Sequence, residues 1–135
     1  MALQYSVAVN NARLDAIETT IGTSAILKFR SGAQPATCAT ADSGTVLATL
    51  NLPSDWLAAA SSASKAKSGT WQDASADAAG TIGHYRIYAS DGTTCGEQGD
   101  VTITGGGGTM TVDNTNVAVG QVVTVTGYTK TAGNQ

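Results

Sequence analysis

Several kinds of residue are scarce in this chain, and each scarcity disfavours a class of protein. Aromatic residues fill only 5% of the 135 positions and charged residues only 13%. With so few aromatic side chains, the core must consist mainly of Val, Ile, Leu and Ala, which favours close-packed layers over a roomy ligand cavity. No apolar run approaches the roughly 20 residues of a membrane-spanning helix. These features predict a soluble domain that contacts no membrane.

Positive charge is also scarce, since the net charge is -3 and the isoelectric point is near 4.7. Binding to nucleic acid needs clustered Lys and Arg, whereas the seven basic residues here are scattered. The two close pairs, Lys28 with Arg30 and Lys65 with Lys67, have the alternation of solvated strand faces. We therefore expect no nucleic-acid partner.

The chain has one histidine and two cysteines, which limits its chemistry. His84 is the only general base of the usual kind, and no nucleophile elbow accompanies it. Cys38 and Cys95 lack a CxxC spacing. We rank free thiols as the first interpretation of these cysteines, a disulfide as the second and a zinc site with His84 as the third. We expect no enzyme activity, no catalytic residues, no metal site and no cofactor.

The first thirty residues contain the clearest pattern. Residues 6–21 predict a helix that ends at Gly22, and residues 25–30 predict a half-buried strand. The helix has a narrow apolar stripe, which must pack on the protein's own sheet or on a neighbouring subunit. The candidate assembly interface consists of Val7, Leu14, Ile17 and Ile21.

The remaining sequence has the period of β-strands. It predicts a mainly β fold, an antiparallel β-sandwich (jelly-roll or Ig-like) with one N-terminal α-helix. Residues 1–135 are expected to form one such domain, with residues 1–22 as its N-terminal segment and helix. Residues 61–83 read as a low-complexity surface stretch, and the four glycines at 105–108 as a flexible connector. Further strands are predicted at residues 45–52, 84–89, 100–104, 109–112 and 117–128.

The few aromatic side chains allow two interpretations. Aromatic faces stack on sugar rings, so Trp56, Trp71 and Tyr88 form a candidate aromatic surface for carbohydrate. In a chain with so few aromatic residues, the same side chains are equally suited to the core or to a protein interface.

The sequence resembles a family of small structural proteins of tailed bacteriophages, and the resemblance covers most of the chain. The segments that carry it are MALQYSV at 1–7, NARLDAIET at 11–19, LNLPSDW at 50–56, SKAKSGTW at 64–71, GHYRIY at 83–88 and the glycines at 105–108. The resemblance implies a virion component without a defined chemistry of its own.

The family is similar in size and β character to capsid cement proteins, an analogy of class. We therefore expect a non-enzymatic virion protein that decorates and stabilises the head. The alternative is a tail, collar or fibre component with a carbohydrate-binding role. Expected partners are the major capsid protein or other virion proteins, and copies of the chain itself in a dimer or trimer. The N-terminus lacks the pattern of a secretion signal, so synthesis is expected in the host cytoplasm before incorporation into the virion.

Overall fold

A computed structural model describes residues 2–132. Helix α1 spans Val7–Ile21, in agreement with the prediction for residues 6–21. The helix begins at Ser6, whose hydroxyl accepts a hydrogen bond from the backbone N–H of Val9 at 3.2 Å. It ends at Gly22, whose φ of 97° is readily adopted by glycine and whose N–H donates to the carbonyl of Glu18.

The strands after the helix form two sheets. In the described part of the chain, the strands are β1 (Ile26–Ser31), β2 (Val46–Asn51), β3 (Ser64–Ala66), β4 (Gln72–Asp73), β5 (Gly80–Tyr88), β6 (Cys95–Gly99), β7 (Val101–Ile103), β8 (Met110–Val112), β9 (Asn116–Val117) and β10 (Val123–Thr131). The first sheet has the order β2-β1-β5-β6, with β9 also paired to β5. The second has the order β3-β10-β8-β7, with β4 also paired to β10.

This arrangement is mainly β, with two sheets in a sandwich-like packing and an N-terminal helix, as the sequence predicts. A single cluster of buried apolar side chains draws on both sheets, including Leu27 and Ile87 from the first and Met110 and Val125 from the second. No helix within residues 2–132 is both long and apolar enough to span a membrane.

One strand pair departs from the antiparallel prediction, because β7 and β8 run parallel. A parallel crossover usually takes a dozen residues or more, yet residues 104–109 complete this one. The glycine run makes it possible by packing on Thr102: the N–H of Gly108 donates to its hydroxyl at 3.0 Å, and a Cβ at Gly106 would lie 2.7 Å from its Cβ. The run connects two strands, as the sequence predicts, and Gly106 and Gly108 are the two glycines that lie against Thr102.

The middle of the chain is more buried than its composition suggests. Residues 61–83 supply two short strands and place Trp71, Ala76 and Ile82 in the core. The surface prediction is right for the many exposed residues of this stretch and wrong for its buried positions, because small residues hide which positions face inward. The long strand predicted at 117–128 is interrupted by a turn, and β6 escaped prediction because two of its five residues are glycine.

Candidate functional site

Helix α1 docks on the sandwich through polar side chains on its inner flank. These side chains accept hydrogen bonds from backbone amides of the segment between β2 and β3. The N–H groups of Leu57, Ala60 and Ala63 donate to Glu18, Asp15 and Asn11 at 2.7, 2.9 and 2.9 Å, respectively. Residues that helical periodicity assigns to a solvated face therefore fix the helix to the protein.

A buried lysine completes this contact. Lys65 is 2% exposed, and its Nζ donates to Asp15 at 2.7 Å and to the carbonyl of Ala58 at 2.8 Å, with Glu18 at 3.7 Å. The hydrogen bond from Lys65, followed by that from the amide of Ala60, holds the pKa of the Asp15 carboxyl below its ordinary value. The prediction that Lys65 lies on a solvated strand face is wrong.

The four residues of the candidate assembly interface do not form one surface. Leu14 and Ile21 are buried by the chain itself, at 5% and 9% exposure, so they pack on the protein's own sandwich. Ile17 is partly buried against the same core, and Val7 is 46% exposed. Asn10, which is fully buried, lies on the same side of the helix as Leu14 and Ile21, whereas Val7 is the first residue of the helix and stays exposed.

An open groove separates the C-terminal half of α1 from the hairpin of β5 and β6. Its volume is about 410 Å³, and most of its lining is small or apolar. Gly96 keeps the hairpin close to the helix, since a Cβ there would lie 2.5 Å from Ile21. Arg13 stands at the edge of the groove, held back toward the N-terminus by a hydrogen bond to Asn10 and by stacking over the ring of Tyr5.

The outward face of α1 is almost free of charge. Asp15 and Glu18 are engaged on the inner flank, which leaves Arg13 as the charged residue on the outside of the helix. The exposed residues of this outward face are Ala8, Val9, Ala12, Arg13, Ala16, Thr19 and Thr20. This face, together with the groove beside it, is our candidate functional site.

The candidate aromatic surface is corrected by the structure. Trp56, Trp71 and Tyr88 are each 0% exposed, so none of them can stack on a sugar ring at the surface. The two tryptophans pack against each other with ring centroids 5.9 Å apart. The indole N–H of Trp56 donates to the carbonyl of Gly22, at the end of α1. The two tryptophans therefore belong to the core, and the phenol of Tyr88 donates to Asp42 instead.

A largely buried carboxylate joins the two sheets. Glu97, on β6 of the first sheet, accepts hydrogen bonds from the phenols of Tyr85 and Tyr128, and Lys130 on β10 of the second sheet pairs with it. Desolvation, reinforced by the charge of Glu97, raises the pKa of both phenols far above the ordinary value near 10. Each of these groups is bonded to Glu97, which therefore acts as a cross-link between the sheets.

His84 is fully buried, which removes it from any surface site. Its Nδ1 lies 3.0 Å from the carbonyl of Gly32, and its Nε2 has no hydrogen-bond partner among residues 2–132. Asp91 accepts hydrogen bonds from the backbone of Thr93 and Thr94, and from the Thr94 hydroxyl, in the turn before β6, which lowers its pKa to about 2. Across residues 2–132, no group of three or more His, Cys, Asp and Glu side chains is placed to hold a metal ion.

The outer face of the first sheet is covered by residues 32–44, which we term the strap. Cys38 in the strap is bonded to Cys95 on β6, with their Cα atoms 5.4 Å apart. The sequence ranked free thiols above a disulfide because it predicts synthesis in a reducing cytosol, and the structure corrects that order. The two cysteines are 57 positions apart in the sequence, and no sequence pattern indicates that they lie close together.

Two buried arginines of the first sheet donate hydrogen bonds to the strap that covers them. The guanidinium of Arg86 donates to Asp42 at 2.7 Å and to the carbonyls of Thr37 and Thr40 at 2.9 and 3.0 Å. Arg30 donates to the other oxygen of Asp42 at 3.0 Å. Arg30, at 7% exposure, was expected on a solvated face, but the strap covers it.

Asp42 is the centre of this clamp. Desolvation opposes its ionisation, but the hydrogen bonds from Tyr88 and Arg86 and the charge of Arg30 outweigh it, so the pKa of the carboxyl stays below its ordinary value. Tyr88 donates its phenol proton to the same carboxylate at 2.6 Å.

Sequence reasoning missed Asp42, Glu97 and Lys65, the residues on which these cross-links depend. Their side-chain partners lie between 12 and 50 positions away, and no local pattern marks such pairs. One feature of the sequence could have indicated such pairs. Charged residues are scarce, and a charged residue in an otherwise apolar strand, such as Arg86, needs a partner when its strand is covered.

Comparisons with protein-family models, with curated proteins and with solved structures found no match to this chain.

Proposed function

We propose that this protein is a non-enzymatic structural component of the virion of a tailed bacteriophage. In this proposal it decorates the head as a capsid cement protein and binds the major capsid protein or another virion protein. The proposal extends the resemblance described above, and the comparisons with known proteins add nothing to it.

The observation that carries the proposal is that the buried charged side chains are hydrogen-bonded to other parts of the protein. Arg30, Lys65 and Arg86 are each bonded within the chain, and each ties a loop or the helix to a strand. The pair of Glu97 with Lys130 ties one sheet to the other. Satisfied buried charges of this kind specify one arrangement of the chain. A rigid body is what a component that reinforces a particle must provide.

The outward face of α1 supports assembly with other proteins. Charged residues are depleted at the centres of protein interfaces, and this face carries only Arg13. Small side chains at Ala12 and Ala16 allow the backbone of a partner to approach closely. We propose that this face, with the groove beside it, contacts the capsid or a second copy in a dimer or trimer.

The position of the protein in the particle is tested by quantitative mass spectrometry of purified virions. A copy number on the order of hundreds, comparable with that of the major capsid protein, supports head decoration. A few tens of copies or fewer indicates a tail, collar or fibre component and overturns the decoration role. Absence of the protein from purified particles overturns the virion proposal as a whole.

The docking face is tested with two matched substitutions of exposed alanines. Ala12→Glu places a charge on the outward face of α1, and Ala79→Glu places one in a loop before β5. Both should fold, because neither side chain is buried. We expect Ala12→Glu to reduce binding to particles that lack the protein, and Ala79→Glu to bind like the original chain. Equal binding of the two variants would refute this choice of face.

A further inference from the structure

The strap is held by two independent sets of contacts, one polar and one covalent. The polar contacts lie on both sides of Cys38 in the sequence, because Thr37 and Thr40 offer their carbonyls to the same nitrogen of Arg86. Further along, Asp42 is fixed by Arg86, Arg30 and Tyr88. The strap side of the disulfide is thus positioned by contacts that do not involve sulfur.

The other cysteine is positioned in the same way. Cys95 is the first residue of β6 and pairs with Tyr88 of β5 in the ladder of the first sheet. The amide of Gln98 on the same strand donates to the carbonyl of Pro35 in the strap at 2.8 Å, and its side-chain oxygen accepts from Arg86. The separation of 5.4 Å between the two Cα atoms lies within the range that a disulfide spans.

Apolar burial contributes little to the position of the strap. Its side chains are mostly small and exposed, and Pro35 is the one that the described structure buries. A segment of this composition has no strong preference for one conformation. Its placement therefore depends on the polar clamp around Asp42, with or without the disulfide.

From these contacts we infer a two-stage lock: the clamp of Arg86, Arg30 and Asp42 seats the strap while both cysteines are reduced, and the disulfide then closes on the seated strap when the protein meets an oxidising environment. The inference goes beyond the proposed virion role and does not depend on it. It means that the protein has the same fold before and after oxidation, and gains a covalent tie without rearrangement.

The covalent step is a thiol–disulfide exchange with a small-molecule disulfide such as oxidised glutathione. The thiolate of one cysteine attacks that disulfide, forms a mixed disulfide and releases one glutathione thiolate. The thiolate of the other cysteine attacks the protein sulfur of the mixed disulfide and expels the second glutathione. Overall, two cysteine thiols are oxidised and one glutathione disulfide is reduced to two thiols.

The first experiment asks whether the strap is seated without the bond. The full chain with Cys38→Ser and Cys95→Ser is compared with the oxidised protein by hydrogen exchange of the amides in residues 32–44. We expect the double variant to keep the protection pattern of the oxidised protein. Exchange at the rate of an unfolded chain throughout the strap would overturn the two-stage order.

The second experiment asks whether the clamp guides closure. Reduced protein is mixed with oxidised glutathione, and acid-quenched samples are weighed by mass spectrometry to follow the mixed disulfide and its loss. Asp42→Asn weakens the clamp, and Asp55→Asn is the matched control at another exposed aspartate. We expect Asp42→Asn to slow the closing step by about tenfold or more, since a loosened strap lowers the effective concentration of the thiol. Closure of Asp42→Asn at the rate of Asp55→Asn would refute the inference.

Discussion

The buried phenols around Glu97 make the stability of this protein fall steeply in alkali. Tyr85 and Tyr128 are 1% and 3% exposed, and their raised pKa keeps them protonated in the folded protein well above pH 10. In the unfolded chain, both phenols ionise near the ordinary value of about 10. The stability that they contribute is complete below about pH 10 and is lost above it, because only the unfolded chain then releases the two protons.

The size of the effect follows from the number of protons. Each proton held only by the folded state lowers the free energy of unfolding by about 1.4 kcal/mol per pH unit above the unfolded pKa. Two phenols therefore remove about 3 kcal/mol between about pH 9 and about pH 11. The free energy of unfolding of a folded domain is typically about 5–15 kcal/mol, and we expect a value in this range for this chain. The loss in alkali is therefore a sizeable share of its stability.

Urea unfolding at a series of pH values measures this slope, and Tyr128→Phe is the diagnostic variant. The variant removes one of the two protons, so the alkaline slope should fall by about half even though its stability at neutral pH is lower. The phenolate absorbance of the native protein provides an independent reading. The reasoning is refuted if all four tyrosines of the chain ionise in the folded protein near pH 10, or if the free energy of unfolding stays level up to about pH 11.

Three further predictions concern single contacts. Gly106→Ala should lower the free energy of unfolding by about 1–3 kcal/mol, because the new Cβ meets Thr102 in the tight crossover; an unchanged urea midpoint would show that the crossover yields freely. Lys65→Met should let the pKa of Asp15 rise toward its ordinary value, as measured by an NMR titration of the carboxyl carbon, and a pKa that stays low would contradict the proposed pairing. Ser62→Asn should stabilise the protein by about 0.5–1 kcal/mol, since φ at this exposed turn position is 51° and Asn tolerates that conformation better than Ser; thermal unfolding checks the sign.

The parts of the fold that sequence predicted are those with a local cause. Helix α1 follows from its apolar periodicity and its stop at Gly22, and β1 follows from strict alternation. The failures share a different cause, because the structure covers surfaces that alternation marks as solvated. Arg30 and Arg86 face away from the apolar core, as their positions in β1 and β5 require, but the strap covers them. No local pattern in the strap indicates where it lies.

The candidate site was predictable only in part for the same reason. The helix was expected to dock by its apolar stripe, and two residues of that stripe, Leu14 and Ile21, do pack inward. The direction in which the helix faces is decided by Asp15 and Glu18, which reach the backbone and Lys65 across about fifty positions of sequence. Once those acids are drawn inward, the opposite side of the helix is left without negative charge.

The polar contacts that hold α1, the strap and the two sheets follow from the scarcity of large apolar side chains. The strap is made mostly of small residues that bury too little surface to hold a position by themselves. A hydrogen bond to a charged side chain fixes a loop of small residues at one point. Other positions of the loop are costly in free energy, because they would leave the buried charged side chain without a hydrogen-bond partner. Clamps such as Arg86 with Asp42 therefore add specificity where apolar packing is thin. For that reason, we expect the clamps to matter more for where the loops lie than for how much free energy the whole fold gains.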